Sequence, residues 1–282
     1  MSRNLAASIR ARLKLRTDAT KQDFNLTLTH YGLERLLYRM SISPHADNYL
    51  LKGALLFSLW YAQPHRPTRD VDLLGFGPDD IDTAVAAFRE ISAIEVEDGI
   101  TFDPGSVKGS EIRKDVGYGG VRIDLLAKLD GARITLQVDI GFGDVVTPAP
   151  ESVSYPVLLD DLPAPQLRSY PKYTVVAEKL HAVCLLGMAN TRMKDYFDLW
   201  VLLTEGTLQS SELCSAVEAT FARRQLPVPK AVPSGLSDTF AQDAVKRAQW
   251  AAFLKKNRLD VLDLAEVVAL LRCEFQKLQK QG

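Results

Sequence analysis

The sequence predicts an α+β fold, in which a small mixed sheet follows a helical segment and precedes a helical half. Strand patterns cluster between residues 92 and 143 instead of alternating with helices, and helical spacing dominates beyond residue 173. The 282 residues, 46% of them hydrophobic, can bury the core of one large or two modest domains. We predict a helical N-terminal segment (1–45), a sheet core (46–165) and a helical C-terminal domain (166–282).

The N-terminal part of the chain predicts helices and one short strand. Apolar residues recur at helical spacing over residues 5–16 and 30–40. The apolar residues 49–51 predict a strand, and the apolar run after them predicts a helix over 54–61. Residues 63–67 contain two prolines and predict a loop.

The sheet core is predicted to contain several strands and one helix. Residues 70–74 predict a strand, and residues 79–91 predict a helix with an aspartate available as its N-cap. Apolar and polar residues alternate over 121–125 and again over 134–140. An Asp-Gly pair within 129–132 is typical of a hairpin turn, so these two strands should pair.

Prolines mark the boundary of the C-terminal domain. They are frequent over residues 147–171, and three more predict a loop over 224–237. Apolar residues in the rest of this half recur at helical spacing. The predicted helices cover residues 174–188, 192–204, 210–223 and 259–278.

Charge is distributed unevenly, although the formal net charge is only -1. Residues 1–22 carry six bases and one acid, and the tail from residue 245 carries eight bases and four acids. Residues 70–104 carry ten acids and one base. Basic ends can contact a polyanion such as RNA, and a cluster of acids can bind a metal ion.

Two classes of protein are disfavoured by the sequence. No stretch approaches the roughly 18 to 20 apolar residues that span a bilayer, so we expect no membrane partner. The three cysteines are widely spaced and odd in number, which fits neither a disulfide framework nor a zinc motif. We therefore expect a reducing, cytoplasmic location.

Asp70 and Asp72 are the strongest chemical signal in the sequence. On a strand they face the same side, and two carboxylates so close repel each other unless a cation lies between them. Mg²⁺ suits them, because it takes one or two carboxylates together with water and substrate phosphates. Lys52-Gly53 precedes them at a predicted strand-to-helix turn, where backbone amides can approach a phosphate.

These motifs resemble those of a known family. Lys52-Gly53-Ala54 followed by a helix, and then Arg66-Pro67-Thr68-Arg69-Asp70-Val71-Asp72-Leu73, resemble the nucleotidyltransferase fold of the DNA polymerase β superfamily. The particular form is similar to the AbiEii/AbiGii toxin family. The sequence departs from many superfamily members at Ala54, where a serine or glycine is usual.

Three downstream motifs extend the resemblance to about residue 203. Val138-Asp139-Ile140 resembles the family's third acidic strand, Val176 to Ala182 its lysine helix, and Arg192 to Leu199 its Arg-x-Lys-Asp-x-x-Asp-Leu helix. Asp139 shares the polar face of its strand, so it is a candidate third metal ligand or a base for an attacking hydroxyl. Asp124 and Asp144 are the alternatives, ranked below it.

The resemblance implies roles for the remaining candidate residues. Lys179 would contact the triphosphate, and Asp195 would line the site, whereas Asp198 would only brace a neighbouring base. Lys52, Gly53, Arg66 and Thr68 would bind the nucleotide, Asp70, Asp72, Lys179 and Asp195 would be catalytic, and Asp70, Asp72 and Asp139 would bind metal.

The implied function is that of an Mg²⁺-dependent nucleotidyltransferase toxin with an NTP as substrate. The acceptor would be RNA, with the tRNA 3′ end favoured, and a separately encoded antitoxin would counter the toxin in a toxin–antitoxin or abortive-infection system. Two alternatives stay open: a protein or small-molecule acceptor on the same fold, and a nucleotide-binding regulator without catalysis.

Overall fold

The computed structural model describes residues 3–61, 66–112 and 119–280, and the chain forms two compact units. The sheet unit comprises Met1–Pro64, Thr68–Gly143 and Glu151–Ser169. The helical unit comprises His65–Pro67, Asp144–Pro150 and Tyr170–Gly282. The three-part division expected from the sequence stays a prediction.

The sheet unit contains a mixed sheet with helices. Its elements are α1 (Arg3–Thr20), α2 (Phe24–Ser41), β1 (Tyr49–Lys52), α3 (Leu56–Trp60), β2 (Asp70–Gly75), α4 (Ile81–Ala93), β3 (Thr101–Ile112), β4 (Gly120–Leu129), β5 (Ala132–Phe142), β6 (Glu151–Ser154) and β7 (Gln166–Ser169). The strand order is β3-β4-β5-β2-β1-β7-β6, with β2 parallel to β5 and β1 parallel to β7. Clustered strands in a mixed sheet confirm the predicted α+β fold class.

The central strands of this sheet have one apolar and one polar face. Val71 of β2 pairs in register with Val138 of β5, and both are 1% exposed. Helix α2 packs over this apolar face, where a Cβ added at Gly32 would lie 3.0 Å from a methyl carbon of Leu136. Because strand side chains alternate, the polar residues of β2 and β5 face the opposite side of the sheet.

The helical unit packs around aromatic side chains. Its helices are α5 (Lys172–Leu186), α6 (Met193–Thr204), α7 (Ser210–Arg223), α8 (Asp238–Gln242), α9 (Ala244–Asn257) and α10 (Leu264–Gln279). Tyr196 of α6 stacks on Phe240 of α8 with ring centroids 4.9 Å apart. Trp250 of α9, only 3% exposed, contacts Phe197 of α6. These contacts fix α6 within the unit.

Several helix boundaries differ from those predicted. Helix α2 begins at Phe24 instead of residue 30, because the Asp23 side chain accepts a hydrogen bond from the Leu26 N–H and caps the helix there. The helix predicted over 54–61 is a 3₁₀ turn followed by the five-residue α3. The helix predicted from residue 259 begins at Leu264, and α9 was not predicted.

The strand predictions also need correction. The proline-rich stretch 147–171 contains β6 and β7 at the edge of the sheet, where proline is tolerated next to short strands. Residues 63–65 of the predicted loop lie outside the described residues. So do residues 113–118 of the predicted run of strands.

Two further expectations concern cysteines and membranes. Cys184, Cys214 and Cys273 are all free thiols. Within the described residues, every helix is too short or too polar to cross a lipid bilayer.

Candidate active site

Two carboxylates project from the same face of β2. Asp70 and Asp72 are half-buried, whereas Val71 between them is buried in the core. The alternation of the strand brings the two acids together on the polar face. Like charges at this spacing repel each other, which favours a bound cation between them.

Two acids flanked by two bases lie on four neighbouring strands at the register position of Asp72. Asp72 pairs with Lys52 of β1 on one side and with Asp139 of β5 on the other. Asp139 pairs in turn with Arg122 of β4. Directly paired residues of neighbouring strands have Cβ atoms about 5 Å apart on the same face. We call Lys52, Asp72, Asp139 and Arg122 the charge row.

Asp139, the predicted third carboxylate, is held by Arg122. The Arg122 Nε and Nη2 atoms donate hydrogen bonds of 2.8 Å to its two oxygens, a bidentate geometry. Gln137 adds a longer contact of 3.4 Å. The sequence analysis missed Arg122, although its alternation with Val121 and Ile123 places it on the polar side of the strand.

A chain of two hydrogen bonds orients Asp70. The Thr68 hydroxyl donates to Asp70 Oδ1 at 2.5 Å, and the carbonyl of Thr68 accepts a 2.7 Å hydrogen bond from His30 Nε2 of α2. Burial lowers the pKa of His30, with a smaller contribution from Arg69, while the Thr68 carbonyl opposes the shift. Thr68, predicted to bind nucleotide, therefore holds a metal-ligand candidate. His30 was not predicted and lies outside every motif.

Gly53 closes the turn after β1 and lies against Asp72. Its φ is +75°, a conformation that glycine adopts without strain. Asp72 occupies the place that a side chain at this position would take. The short α3 supplies little helix dipole. A phosphate at this turn would therefore be bound mainly by the backbone, which glycine leaves accessible.

In the helical unit, Lys179 of α5 lies between two carboxylates of α6. Its Nζ atom is 2.9 Å from Asp195 Oδ1 and 2.8 Å from Asp198 Oδ2. Asp198 also accepts two 2.9 Å hydrogen bonds from Arg66, and Asp195 lies 2.7 Å from Arg192 Nε. We call these five residues the lysine cluster. It contains three bases and two acids, so one positive charge is in excess.

The charges of this cluster determine the protonation of its members. Burial alone would lower the pKa of Lys179, but the attraction of Asp195 and Asp198 outweighs it and raises that pKa above its usual value. Burial would raise the pKa of Asp198, yet Lys179 and Arg66 lower it to about 2. Lys179 and Arg192 likewise lower the pKa of Asp195 against the effect of its burial. Lys179, Asp195 and Asp198 are therefore charged at neutral pH.

The two alternatives to Asp139 have other neighbours. Asp144 belongs to the helical unit and bonds to Arg224 at 2.9 Å. Asp124 lies on the polar face of β4, opposite Gln137 and not opposite Asp72. Of the three candidates, Asp139 alone is in register with Asp72.

The donor set of β2 fits Mg²⁺. This ion commonly takes one or two carboxylates and completes its shell with water and phosphate oxygens, which Asp70 and Asp72 allow. Among the described residues, no three or more side chains of His, Cys, Asp or Glu are grouped to hold a metal ion. The oxygens of Asp139 are directed at Arg122, so Asp139 does not complete such a group in this conformation.

Comparison with known proteins agrees with this architecture. No curated protein matches the sequence. A crystal structure from H. pylori, provisionally described as a nucleotidyltransferase, has a TM-score of 0.50 at 16% identity, covering 90% of this chain and 94% of the other. JHP933 from Helicobacter pylori has a TM-score of 0.47 at 15% identity, covering 88% and 89%.

The sequence itself gives the family. Residues 35–272 match the family described as the nucleotidyl transferase AbiEii toxin of type IV toxin–antitoxin systems. The match covers most of the chain and includes the charge row, the lysine cluster, Gly53, Thr68 and Asp70. The chain therefore belongs to the AbiEii nucleotidyltransferase toxin family, which implies an NTP substrate and an antitoxin partner.

Proposed function

We propose that this nucleotidyltransferase transfers a nucleotide from an NTP to an RNA acceptor, most favourably the 3′ end of tRNA, in an Mg²⁺-dependent reaction. One observation carries the proposal: Asp70 and Asp72 lie together on β2, with the Gly53 backbone directly against Asp72. Paired carboxylates beside a close backbone turn suit a metal-bound triphosphate.

Mg²⁺ fits the carboxylates of the sheet unit. Asp70 and Asp72 would hold it, and Asp139 is the third carboxylate of the proposal. When bound, the ion would neutralise charge on the triphosphate and on the leaving pyrophosphate. Arg122 holds Asp139 beside Asp72, so a role for Asp139 as ligand requires its carboxylate to share or exchange this partner.

Basic and small residues would position the nucleotide. Lys52 and the Gly53 amide are proposed to contact phosphate oxygens, and Thr68 to act through Asp70. Lys179 and Arg66 would offer positive charge to the triphosphate, because the lysine cluster keeps one positive charge in excess. Asp195 would orient Lys179, since it holds the ammonium group at 2.9 Å.

The chemistry is a substitution at the α-phosphorus. The oxygen of an acceptor hydroxyl forms the new bond to phosphorus, and the bond to the bridging oxygen of the leaving pyrophosphate breaks. Asp139, in register with Asp72, is also the candidate base for the hydroxyl proton. We further propose that the reaction takes place in the cytoplasm, where the three free cysteines stay reduced.

A label-transfer assay tests this function. Purified protein would be incubated with Mg²⁺, total tRNA and each α-labelled NTP in turn. The matched control is Asp72→Asn, which keeps the shape of the side chain and removes its charge. We expect label on tRNA from one or more NTPs with the wild type and none with the variant.

Other outcomes have distinct meanings. Label on the protein, or on a small molecule added as acceptor, would overturn the RNA acceptor and keep the nucleotidyl transfer. NTP binding without any transfer to an acceptor would favour the alternative of a nucleotide-binding regulator without catalysis. Equal labelling by wild type and Asp72→Asn would show that the Asp72 carboxylate is not needed for catalysis.

A further inference from the structure

Helix α9 carries four exposed bases, one near its N-terminus and three at its C-terminal end. Its outward positions carry Arg247, Lys255 and Lys256, and the exposed Arg258 follows as the C-cap. No acidic residue occurs between Asp243 and Asp260. The other exposed residues of α9 on this side are Ala244, Val245, Ala248, Ala251 and Ala252. We call this surface the α9 face.

The α9 face follows from helix periodicity. Trp250, Leu254 and Lys246 point into the helical unit, where the Lys246 ammonium donates a hydrogen bond of 2.9 Å to the Asn190 carbonyl. These buried positions are four residues apart, so most of the positions between them turn outward. Arg247 and Arg258 are about 16 Å apart along the axis at a rise of about 1.5 Å per residue.

The bases of the α9 face make no ion pair in the described structure, whereas three of the five bases of α1 do. In α1, Arg10 and Arg12 pair with Asp130 and Asp161, and Lys14 pairs with Asp18. The sequence analysis treated both basic ends as equal candidates for a polyanion. The structure separates them, because Arg10, Arg12 and Lys14 of α1 are already compensated by acids of the sheet unit.

Helix stability does not explain the full set of bases. Lys255 and Lys256 lie in the last turn, where positive charge interacts favourably with the helix dipole. Arg247 lies near the N-terminus, where a positive charge is unfavourable, and the first turn holds no acid. The other bases of the α9 face, at its C-terminal end, are also positive, so an anion bound along the helix is attracted from both ends.

The chemistry of the α9 face fits a phosphate backbone better than a protein surface. The exposed residues between Arg247 and Lys255 are three alanines, so this surface lacks the large aromatic anchors that usually dominate protein interfaces. Phosphate contacts need only Lys and Arg side chains in reach, and small neighbours leave them unobstructed. We infer that the α9 face binds the phosphate backbone of the RNA acceptor; this inference rests on the proposed function and assigns its RNA contact to α9.

Salt-dependent RNA binding tests the inference. The α9 variant combines three neutralising substitutions, Arg247→Gln, Lys255→Gln and Lys256→Gln. The matched control changes the same net charge at paired positions of α1: Arg10→Gln, Arg12→Gln and Lys14→Gln. Binding of total tRNA by wild type and both variants would be measured by fluorescence anisotropy over a range of salt concentrations, with circular dichroism melts to establish folding.

We expect the α9 variant to bind tRNA about tenfold or more weakly at about 100 mM salt. A plot of log affinity against log salt concentration should have a slope that is shallower by about 2 for this variant. Each lost phosphate contact reduces the slope by roughly 0.7 to 0.9, and three bases are neutralised. The α1 control should stay within about threefold of wild type. Equal losses in both variants, or no loss in the α9 variant, would overturn the inference.

The label-transfer assay separates this inference from the proposed function. If wild type labels tRNA and the α9 variant binds tRNA normally, the proposed function stands and the inference that the α9 face binds RNA is wrong. If wild type neither binds nor labels tRNA, the RNA acceptor itself fails, and the inference fails with it. If the α9 variant loses binding of polyglutamate but keeps tRNA binding, an acidic protein partner replaces RNA at this surface.

Discussion

The backbone of Gly53 lies directly against the side chain of Asp72, at the junction of β1 and the 3₁₀ turn. A Cβ on Gly53 would lie 2.6 Å from both the Cβ and the Cγ atom of Asp72, well inside van der Waals contact. The same glycine has a φ of +75°, so two independent reasons exclude a side chain here. The close approach brings a main-chain segment to the carboxylate that we propose as a metal ligand.

Gly53→Ala is expected to reduce nucleotidyl transfer by about a hundredfold, because a displaced Asp72 loses its geometry for catalysis. The matched control is Gly131→Ala in the β4–β5 hairpin, where φ is +79° and no atom lies within 4 Å of the added Cβ. Both variants pay a backbone cost of roughly 1 to 2 kcal/mol, which urea denaturation can measure. Equal activities of the two variants would contradict the importance of the Gly53–Asp72 contact.

Thr68→Val is expected to weaken metal binding by about 10- to 100-fold, because the variant keeps the shape of the side chain but loses the hydroxyl that orients Asp70. Thr68→Ser keeps the hydroxyl and should bind nearly as wild type. Titration with Mn²⁺, followed by electron paramagnetic resonance, measures the affinity without any need for turnover. Wild-type affinity in the valine variant would show that Asp70 needs no such support.

Lys179→Met is expected to destabilise the fold by about 3 to 5 kcal/mol, since it leaves Asp195 and Asp198 buried without their shared ammonium group. Lys172→Met is the control on the same helix. Its partner Glu205 and Lys172 itself are part-exposed, so that loss should stay below about 1 kcal/mol. Urea denaturation of both variants gives the comparison, and similar losses would mean that the lysine cluster contributes little to stability.

Glu34→Gln is expected to flatten the pH dependence of stability. Burial raises the pKa of Glu34 to about 7, although Arg35 and the Leu158 N–H partly oppose the shift. A raised carboxyl pKa means that the folded state binds a proton more tightly than the unfolded one. Its stabilising contribution is therefore complete below about pH 4.5 and is lost as the pH rises through about 7.

The size of this effect follows from the shift. Wild type should lose on the order of 3 kcal/mol from this one group between about pH 4.5 and 7.5. The Glu34→Gln variant should lack that loss, whereas Glu212→Gln at an exposed position of α7 should retain it. Urea denaturation at several pH values checks the difference. Parallel pH curves for wild type and Glu34→Gln would contradict it.

Local patterns in the sequence predicted the part of the site that one strand determines. Alternation alone put Asp70 and Asp72 on one face and Val71 in the core, because the side-chain period of a strand is two. The position of Asp139 on the polar face of its own strand followed in the same way. Its register with Asp72 did not, since register depends on pairing between strands.

The unpredicted features depend on contacts between residues distant in sequence. The partners Arg122 and Asp139 are 17 residues apart, and Arg66 and Asp198 are 132 apart. No local periodicity encodes such pairs. His30 was missed for the same reason, because its hydrogen bond reaches 38 residues along the chain to the Thr68 carbonyl. Helix α9 escaped prediction because its hydrophobic positions are few and alanine-rich positions separate them.

The charge row also constrains how the protein can evolve. The row crosses four strands in the order Lys52, Asp72, Asp139 and Arg122. Each of the two inner aspartates therefore lies between one base and one acid. A sign change at Arg122 would alter the partner of Asp139 and, through it, the surroundings of Asp72. Effects of substitutions in contact are not additive. The row should therefore show strong epistasis, with tolerated charge swaps arising only as coupled changes on adjacent strands.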